Sequence, residues 1–417
     1  MYTSKKGSPG RGRIIMKKFL CLFVIISMLL VCFKITVVAD IVYEVKSGDT
    51  LTKIGVKHGV SYQIIAVRND IENSNLILIG QKLIIPTVDK NISDINNPVI
   101  ATTKTNIVIT DVIGRVVTLD KPADKIVGTH NPTMNTGIVL GGGEKYIAGL
   151  GNKMMANKLY DHIMKDYDSI IQIGKANNIN YEMVVSLGKN NVAVLPERFI
   201  DQIESFENVG IKAVVALPNS ESFETIKSSL LIVGAVLGEE SKANRINEYI
   251  DKSISDIKLL SSKAKTRPKV LFLGASNRFS VASTSMIQTD IIDMAGGINA
   301  VKNLNVKGAF AVVNIEQIIA WNPDIIWIPK YASYTAEELL KDPKWGSIKA
   351  IKNKEVYMFP CDLEPWDYPT ASAALGLRWG LYNLHLDVYN KNDLLKDADE
   401  FYNMVYGKKF TAEQMGI

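Results

Sequence analysis

The chain has 417 residues, an ordinary 47% hydrophobic and 22% charged content, and a formal net charge of +5. That composition excludes a disordered or fibrous protein and predicts two or three globular domains. Its basic residues are scattered except ahead of the first apolar run, so nucleic acid and other polyanions are not expected partners.

Lys5, Lys6, Arg11, Arg13, Lys17 and Lys18 precede an apolar run from Phe19 to Phe33, and Val37-Val38-Ala39 offers a cleavage point before Asp40. This is the pattern of a secretory signal, and Met16-Lys17-Lys18 would itself make a normal start, leaving residues 1–15 as an extension. An uncleaved anchor is the second reading, because the apolar stretch resumes after Lys34 and approaches bilayer-spanning length. Residues 1–39 are therefore assigned as signal peptide or membrane anchor, and the remainder as secreted or membrane-anchored outside the cytoplasm. Cys21 and Cys32 lie in the apolar run, so cleavage would leave only Cys361 and no intramolecular disulfide. Val31 ahead of Cys32 argues against lipidation there.

Residues 40–87 form a unit of their own. Tyr43, Val45, Ser47-Gly48-Asp49-Thr50-Leu51, Ile54, His58-Gly59, Asn69 and Ile79-Gly80-Gln81-Lys82-Leu83-Ile84-Ile85-Pro86 carry strand, helix, helix and strand signals in turn. Gly48-Asp49 makes the first turn, Asp49 or Thr50 caps the first helix, and Gly80-Gln81 turns the chain into the closing strand. The segment resembles a LysM module, a βααβ unit that binds the N-acetylglucosamine backbone of peptidoglycan or chitin. The resemblance implies Gly48, Asp49, Thr50, Gly80 and Gln81 as glycan-binding positions, peptidoglycan as a partner and cell-wall association. Residues 88–106, rich in Asn, Asp and Thr, read as a linker.

From Ile107 the pattern is α/β. Ile107 to Leu119 is a hairpin with Gly114 at its turn, followed by Lys121-Pro122 and a strand, Lys125-Ile126-Val127-Gly128, that ends in Thr129-His130-Asn131. Asn180-Tyr181-Glu182-Met183-Val184-Val185-Ser186 returns about 130 residues later as Asn314-Ile315-Glu316-Gln317-Ile318-Ile319-Ala320. Each copy runs into an apolar strand that stops at a proline, Pro196 or Pro329. A capping Asn, a Glu two residues on, an apolar pair and a buried strand, seen twice, predict two lobes built alike. Between the copies, Ala243, Ile246, Ile250, Ile254, Ile257 and Leu260 make the apolar stripe of one long helix from Glu240. Pro268 marks its far side, and Lys269-Val270-Leu271-Phe272-Leu273-Gly274 opens the second lobe.

The hairpin entry, the segment Ser285 to Asn299 with its Gly296-Gly297 turn, Asp342-Pro343-Lys344-Trp345, Ala350-Ile351-Lys352-Asn353 and Glu355-Val356-Tyr357 resemble solute-binding proteins of iron-complex, haem and cobalamin ABC importers. The resemblance spans roughly residues 107–390. It implies two Rossmann-like lobes joined by a single helix: lobe 1 over residues 107–239, the bridge over 240–267 and lobe 2 over 268–417. It also implies an ABC permease as partner, with Glu182 and Glu316, one per lobe, docking on it. A helix-dipole preference alone would place a Glu at either site.

Ligands of such α/β lobes bind beyond the carboxyl ends of strands. The loops there supply His130, Asn131, Glu197, Arg198, Asn277, Arg278, Lys330, Tyr331, Trp366, Asp367 and Tyr368. Arg198, Arg278 and Lys330 suit carboxylates or other oxyanions, and Trp366 and Tyr368 offer flat apolar faces. The four histidines, His58, His130, His162 and His385, are too few and too scattered for a bare divalent cation; His130 is the one candidate haem-iron ligand, against the ordinary reading of a buried or capping His. The metal ligands, if any, are unassigned, and no resident cofactor is expected, the transported ligand itself being a metal complex. The sequence thus describes a wall-held receptor for an iron(III)-siderophore, haem or cobalamin-type complex. Alternatives are a molybdate or tungstate receptor of the same fold and a LysM-bearing peptidoglycan enzyme, for which no catalytic motif stands out.

Overall fold

The computed structural model describes residues 40–58, 65, 69, 71, 77–86, 100–102, 106–151, 158–176, 178–302, 304, 306 and 309–417. The signal or anchor, most of the second helix expected in the LysM segment and most of the linker lie outside these residues. No helix among the described residues is long and apolar enough to cross a membrane.

In the first unit, β1 (Asp40–Glu44) pairs antiparallel with β2 (Lys82–Pro86), and α1 (Leu51–His58) packs on them. Val45, Leu51, Ile54, Ile65, Leu83 and Ile85 form its core. Gly48 and Gly80 take φ of 83° and 85°, left-handed values that a side chain would strain. Asn69 ties this unit together. Its side chain accepts from the Ile84 N–H at 2.6 Å and donates to the Ile84 carbonyl at 2.8 Å, acting as a strand neighbour.

The hairpin expected from Ile107 is present as β4 (Ile107–Thr110) and β5 (Val116–Leu119), with Gly114 at φ 79°. A further strand, β3 (Ile100–Thr102), pairs with β4 inside the stretch read as linker. Ile100-Ala101-Thr102 is too short and too weakly alternating to signal a strand by itself, and the edge of β4 supplies the pairing.

The first large sheet uses β6 (Lys125–Gly128), β7 (Ile147–Leu150), β8 (Ile171–Gln172), β11 (Asn191–Pro196) and β12 (Lys212–Leu217), all parallel, in the order β12-β11-β6-β7-β8. A small β9 (Gly174–Lys175) and β10 (Asn178–Ile179) ribbon lies beyond β8. Helices α2 (Asn131–Gly141), α3 (Lys158–Ile163) and α4 (Tyr181–Ser186) lie between these strands, α5 (Phe223–Leu237) follows the last of them, and α6 (Glu240–Ser261) comes next as the long helix. The second large sheet uses β13 (Lys269–Phe272), β15 (Ile298–Asn299), β17 (Ile325–Pro329) and β18 (Val356–Phe359) in the order β15-β13-β17-β18. A β14 (Ser280–Ala282) and β16 (Phe310–Val312) hairpin flanks it. Its helices are α7 (Ile287–Met294), α8 (Ile315–Trp321), α9 (Ala373–Leu384) and α10 (Lys391–Tyr406).

Read from the other edge, the second sheet runs β18-β17-β13-β15, which is the order β12-β11-β6-β7 of the first. The doubled motif occupies equivalent places in the two. Asn180 Oδ1 accepts the Met183 N–H at 3.0 Å to cap α4, and Asn314 Oδ1 accepts the Gln317 N–H at 2.8 Å to cap α8. The strands that follow, β11 and β17, each lie beside the first strand of their sheet.

Successive strand residues point to opposite faces. Ala193 and Leu195 of β11 enter a core local to the first lobe, and Ile326 and Ile328 of β17 one local to the second. Their alternates Val192, Val194, Ile325 and Trp327 enter one common cluster. Ala243, Ile246, Tyr249, Ile250 and Ile257 of α6 belong to that cluster as well. At 1.5 Å per residue α6 is about 33 Å long. Arg378 on α9, only 2% exposed, pairs with Asp397 of α10 and with Asp256 of α6 at 3.4 Å, and so pins these three helices together.

If the two Asn caps are equivalent, Asn180→Ala and Asn314→Ala each cost about 1 kcal/mol in chemical denaturation. Unequal losses beyond about twofold would show that the two motifs carry different loads.

Candidate functional site

Three strands of the first lobe end in loops that meet. His130 follows β6 at the start of α2, and its ring stands edge-on to Phe199 at 6.0 Å. Its Nδ1 has no hydrogen-bond partner among the described residues. Burial first, and then the neighbouring Arg198 charge, push the imidazole down to about 3, so it is neutral at physiological pH. Arg198 lies in the 3₁₀ turn Glu197–Gln202 after β11, and its guanidinium is 3.7 Å from the carboxylate of Glu221. Glu197, in the same turn, accepts the Asn219 N–H at 2.7 Å and ties this loop to the one after β12.

Glu221 is 6% exposed, and burial lifts its carboxyl to about 7 against the opposing pull of the Ile287 N–H and Arg198. Asp367, fully buried across the boundary, raises it further. Burial likewise lifts Asp367 to about 6. Tyr331 after β17 donates its hydroxyl to Asp367 Oδ2 at 2.6 Å and stands edge-on to Tyr368 at 5.7 Å. The other Asp367 oxygen has no partner among the described residues. These groups lie in sequence from His130 and Arg198 in one lobe, by way of Glu221 and Asp367, to Tyr331 and Tyr368 in the other, with Glu221 and Asp367 related by charge and not by a hydrogen bond.

Other expected residues sit differently. Trp366 is a correction: it is 1% exposed, it belongs to the common core, and its indole N–H donates to Tyr402 at 2.9 Å, so its face is not available to a ligand. Arg278 bonds Asp342 at 3.1 Å and lies 5.5 Å over the Tyr334 ring, which ties it into its own lobe. Lys330 pairs with Asp362. Asn277 is exposed and accepts the Phe279 N–H at 2.9 Å, a turn role. Asn131 is half-buried at the first position of α2. His162 lies edge-on to Phe410, and His385 is buried against Gly296. No group of three or more metal-ligating side chains occurs among the described residues.

Sequence reasoning missed Glu221. The strand-end rule applied to Lys212–Leu217 would have found it, because Pro218-Asn219-Ser220-Glu221 is the loop after that strand. A third buried acid, Glu364, is lifted to about 7 by burial despite hydrogen bonds from Tyr402 and Ser372.

In the small N-terminal unit, Asp49 accepts the Lys46 N–H and the Tyr43 hydroxyl, both at 2.8 Å, and Gln81 accepts the Leu78 N–H at 2.9 Å. Both side chains shape the turns flanking the strands. Thr50 starts the first turn of α1, its carbonyl accepting the Ile54 N–H at 3.0 Å. Leu78 and Ile79 are exposed beside Gly80. Glu182 and Glu316 are exposed at the first turns of α4 and α8.

A family profile described as periplasmic binding protein matches residues 133–363, more than half of the chain. The chain belongs to the periplasmic binding protein family. A LysM domain profile matches residues 43–86. The molybdate-binding protein MolA of Haemophilus influenzae is 24% identical over 72% of this chain and 90% of its own. The Fe(3+)-citrate-binding protein YfmC of Bacillus subtilis is 28% identical over 53% and 67%. A periplasmic solute binding protein from Veillonella parvula superposes with a TM-score of 0.63 at 25% identity, covering 74% of this chain and 95% of that one. These relatives are substrate-binding proteins rather than enzymes, and members of this family deliver ligands to ABC permeases.

Glu364 gives a pH test. Its carboxyl rises from an ordinary 4.5 to about 7 on folding, so the folded state favours the protonated form. The stability it contributes is complete below pH 4.5 and is lost as pH rises through 7. Glu364→Gln, which mimics the protonated acid, should therefore lose less melting temperature than the parent between pH 4.5 and 7.5. Parallel curves for the two proteins would show that Glu364 is not protonated in the fold.

Proposed function

We propose that this protein is the extracytoplasmic receptor of an ABC importer, held at the cell wall by its LysM segment, and that it binds an anionic metal chelate of the iron(III)-siderophore, haem or corrinoid kind. The observation that supports this is the line of groups across the two lobes. It offers one half-exposed guanidinium, Arg198, a neutral imidazole, His130, and the aromatic faces of Phe199, Tyr331 and Tyr368. Arg198, Arg278 and Lys330 each already face a carboxylate, that of Glu221, Asp342 and Asp362 respectively. That leaves little free positive charge for a small bare oxyanion and more apolar face than such an ion can use. A chelate with a carboxylate edge and a broad body uses both. Haem stays within this class through His130, whose buried Nδ1 has no hydrogen-bond partner among the described residues.

The second reading, molybdate or tungstate, is favoured by the similarity to MolA over nearly all of that protein's length. Titration of the whole chain with ferric citrate and with molybdate separates the two. The chelate reading expects binding of ferric citrate, with Arg198→Ala weakening it about 10- to 100-fold, the loss of one charge-assisted hydrogen bond. Tyr368→Ala should weaken it severalfold. Tight binding of molybdate with no response to ferric citrate, haemin or cobalamin would overturn it.

Glu182 and Glu316 are proposed as the permease contacts. Both are exposed, both lie two residues past an Asn cap, and the two occupy equivalent places in the duplicated lobes. Charges at an interface rim set encounter and orientation more than they set the fold. Glu182→Lys with Glu316→Lys should leave ligand affinity unchanged and abolish most uptake in cells that depend on this receptor. Normal uptake by the double variant would remove both residues from docking.

A further inference from the structure

Two helices that start at the boundary between the lobes exchange carboxylates. The first residue of α5 in lobe 1, Phe223, donates its N–H to Asp290 of α7 in lobe 2 at 3.3 Å. The first residue of α7, Ile287, donates its N–H to Glu221 of lobe 1 at 3.4 Å. Between them the Glu221 N–H donates to the Ser285 carbonyl at 2.8 Å. The first N–H groups of a helix have no acceptor within the helix, and the positive end of the helix dipole favours a carboxylate there. Each lobe therefore satisfies the other's helix start.

We infer that Glu221 and Asp290 form a reciprocal clasp that sets the resting angle between the lobes, a second tether beside α6, and that Arg198 is coupled to it through Glu221. Opening the lobes must strip both helix starts of their acceptors. The groups around the clasp are Arg198 and Asp367 near Glu221, and Glu224 and Asp293 near Asp290. Arg198 is the one cation among them, so a ligand that draws Arg198 away leaves Glu221 with its helix start alone. That last step rests on the receptor reading proposed above, while the clasp itself is a property of the ligand-free chain.

Hydrogen exchange of the whole ligand-free protein tests the bonds. In Asp290→Ala the amide of Phe223, on the opposite lobe, should exchange about tenfold faster, and in Glu221→Ala the amide of Ile287 should do the same. Asp290→Asn, which keeps an oxygen acceptor, should retain most of the protection. Arg198→Ala, at an exposed side chain, should speed exchange at Ile287 without touching the fold. Spin labels on the exposed Ser186 and Ala320, one per lobe, test the angle: a narrow distance distribution in the parent should broaden in Asp290→Ala. If Glu221→Ala unfolds, Asp290→Ala alone decides. Unchanged exchange at Phe223 with an unchanged distance distribution would overturn the clasp, and unchanged exchange at Ile287 in Arg198→Ala would overturn the coupling. Neither result depends on which ligand the cleft takes.

Discussion

The two sheets and the helix between them share one apolar core, and the rest of the molecule depends on it. Alternate residues of β11, β12, β13 and β17 leave their own lobes to join Ile246, Ile250 and Ile257 of α6 in a single cluster. Domains within a chain move freely by default unless their interface is large and hydrophobic. Here it is both, and Trp327, Phe359, Phe272 and Trp366 are buried in it. Parting the lobes widely would expose this surface at roughly 25 cal/mol per Å². Wide parting of the lobes is therefore costly, and the groups along the rim of the seam keep a nearly fixed arrangement.

That rim is built at a cost in buried charge. Burial pushes the carboxyls of Glu221 and Glu364 up to about 7 and that of Asp367 up to about 6. An ion removed from water needs partners, and replacing such groups with apolar ones is often neutral or stabilising. Their retention along the seam fits a need for orientation: Asp367 holds Tyr331, and Glu221 holds Arg198. Arg378 shows the other solution, a fully paired guanidinium among Asp397, Asp256 and Tyr249 that has no access to the cleft.

Much of the scaffold was legible because it is local. The Asn caps, the helical stripe of α6, the Gly114 turn and the strands ending at Pro196 and Pro329 all rest on neighbours within a few residues. The repeat carried further, since two copies of one local pattern implied two sheets, and these share a strand order. Among the residues named by the strand-end rule, the structure sets His130 beside Phe199 and Tyr331 beside Asp367 and Tyr368. The rule could not say which side chains face the cleft. Arg278 is neutralised by Asp342, 64 residues on, and Trp366 finds Tyr402, 36 residues on. Partners that far apart leave no trace in spacing, so charge and aromaticity in a loop were read as ligand-facing when two of the residues were holding the structure. Strand β3 was invisible for the same reason, as its stabilisation belongs to the edge of β4.

The duplication also accounts for how one scaffold makes an asymmetric site. The strands β11 and β17 are equivalent, both end in proline, and both pair in parallel with the strand that follows, yet Pro196 leads into Glu197-Arg198-Phe199 and Pro329 into Lys330-Tyr331. The first strands diverge likewise: β6 runs on to His130, whereas β13 runs on to Gly274, where a Cβ would sit 2.8 Å from Ser280 Oγ and no side chain fits. In the proposed site, lobe 1 supplies the imidazole of His130 and the guanidinium of Arg198, and lobe 2 the tyrosines beside Asp367. Since the strands are fixed by the shared core, only these few loop residues are free to change ligand preference without disturbing the fold. Relatives named for molybdate and for ferric citrate both resemble this chain, which is what a shared scaffold with differing loops allows.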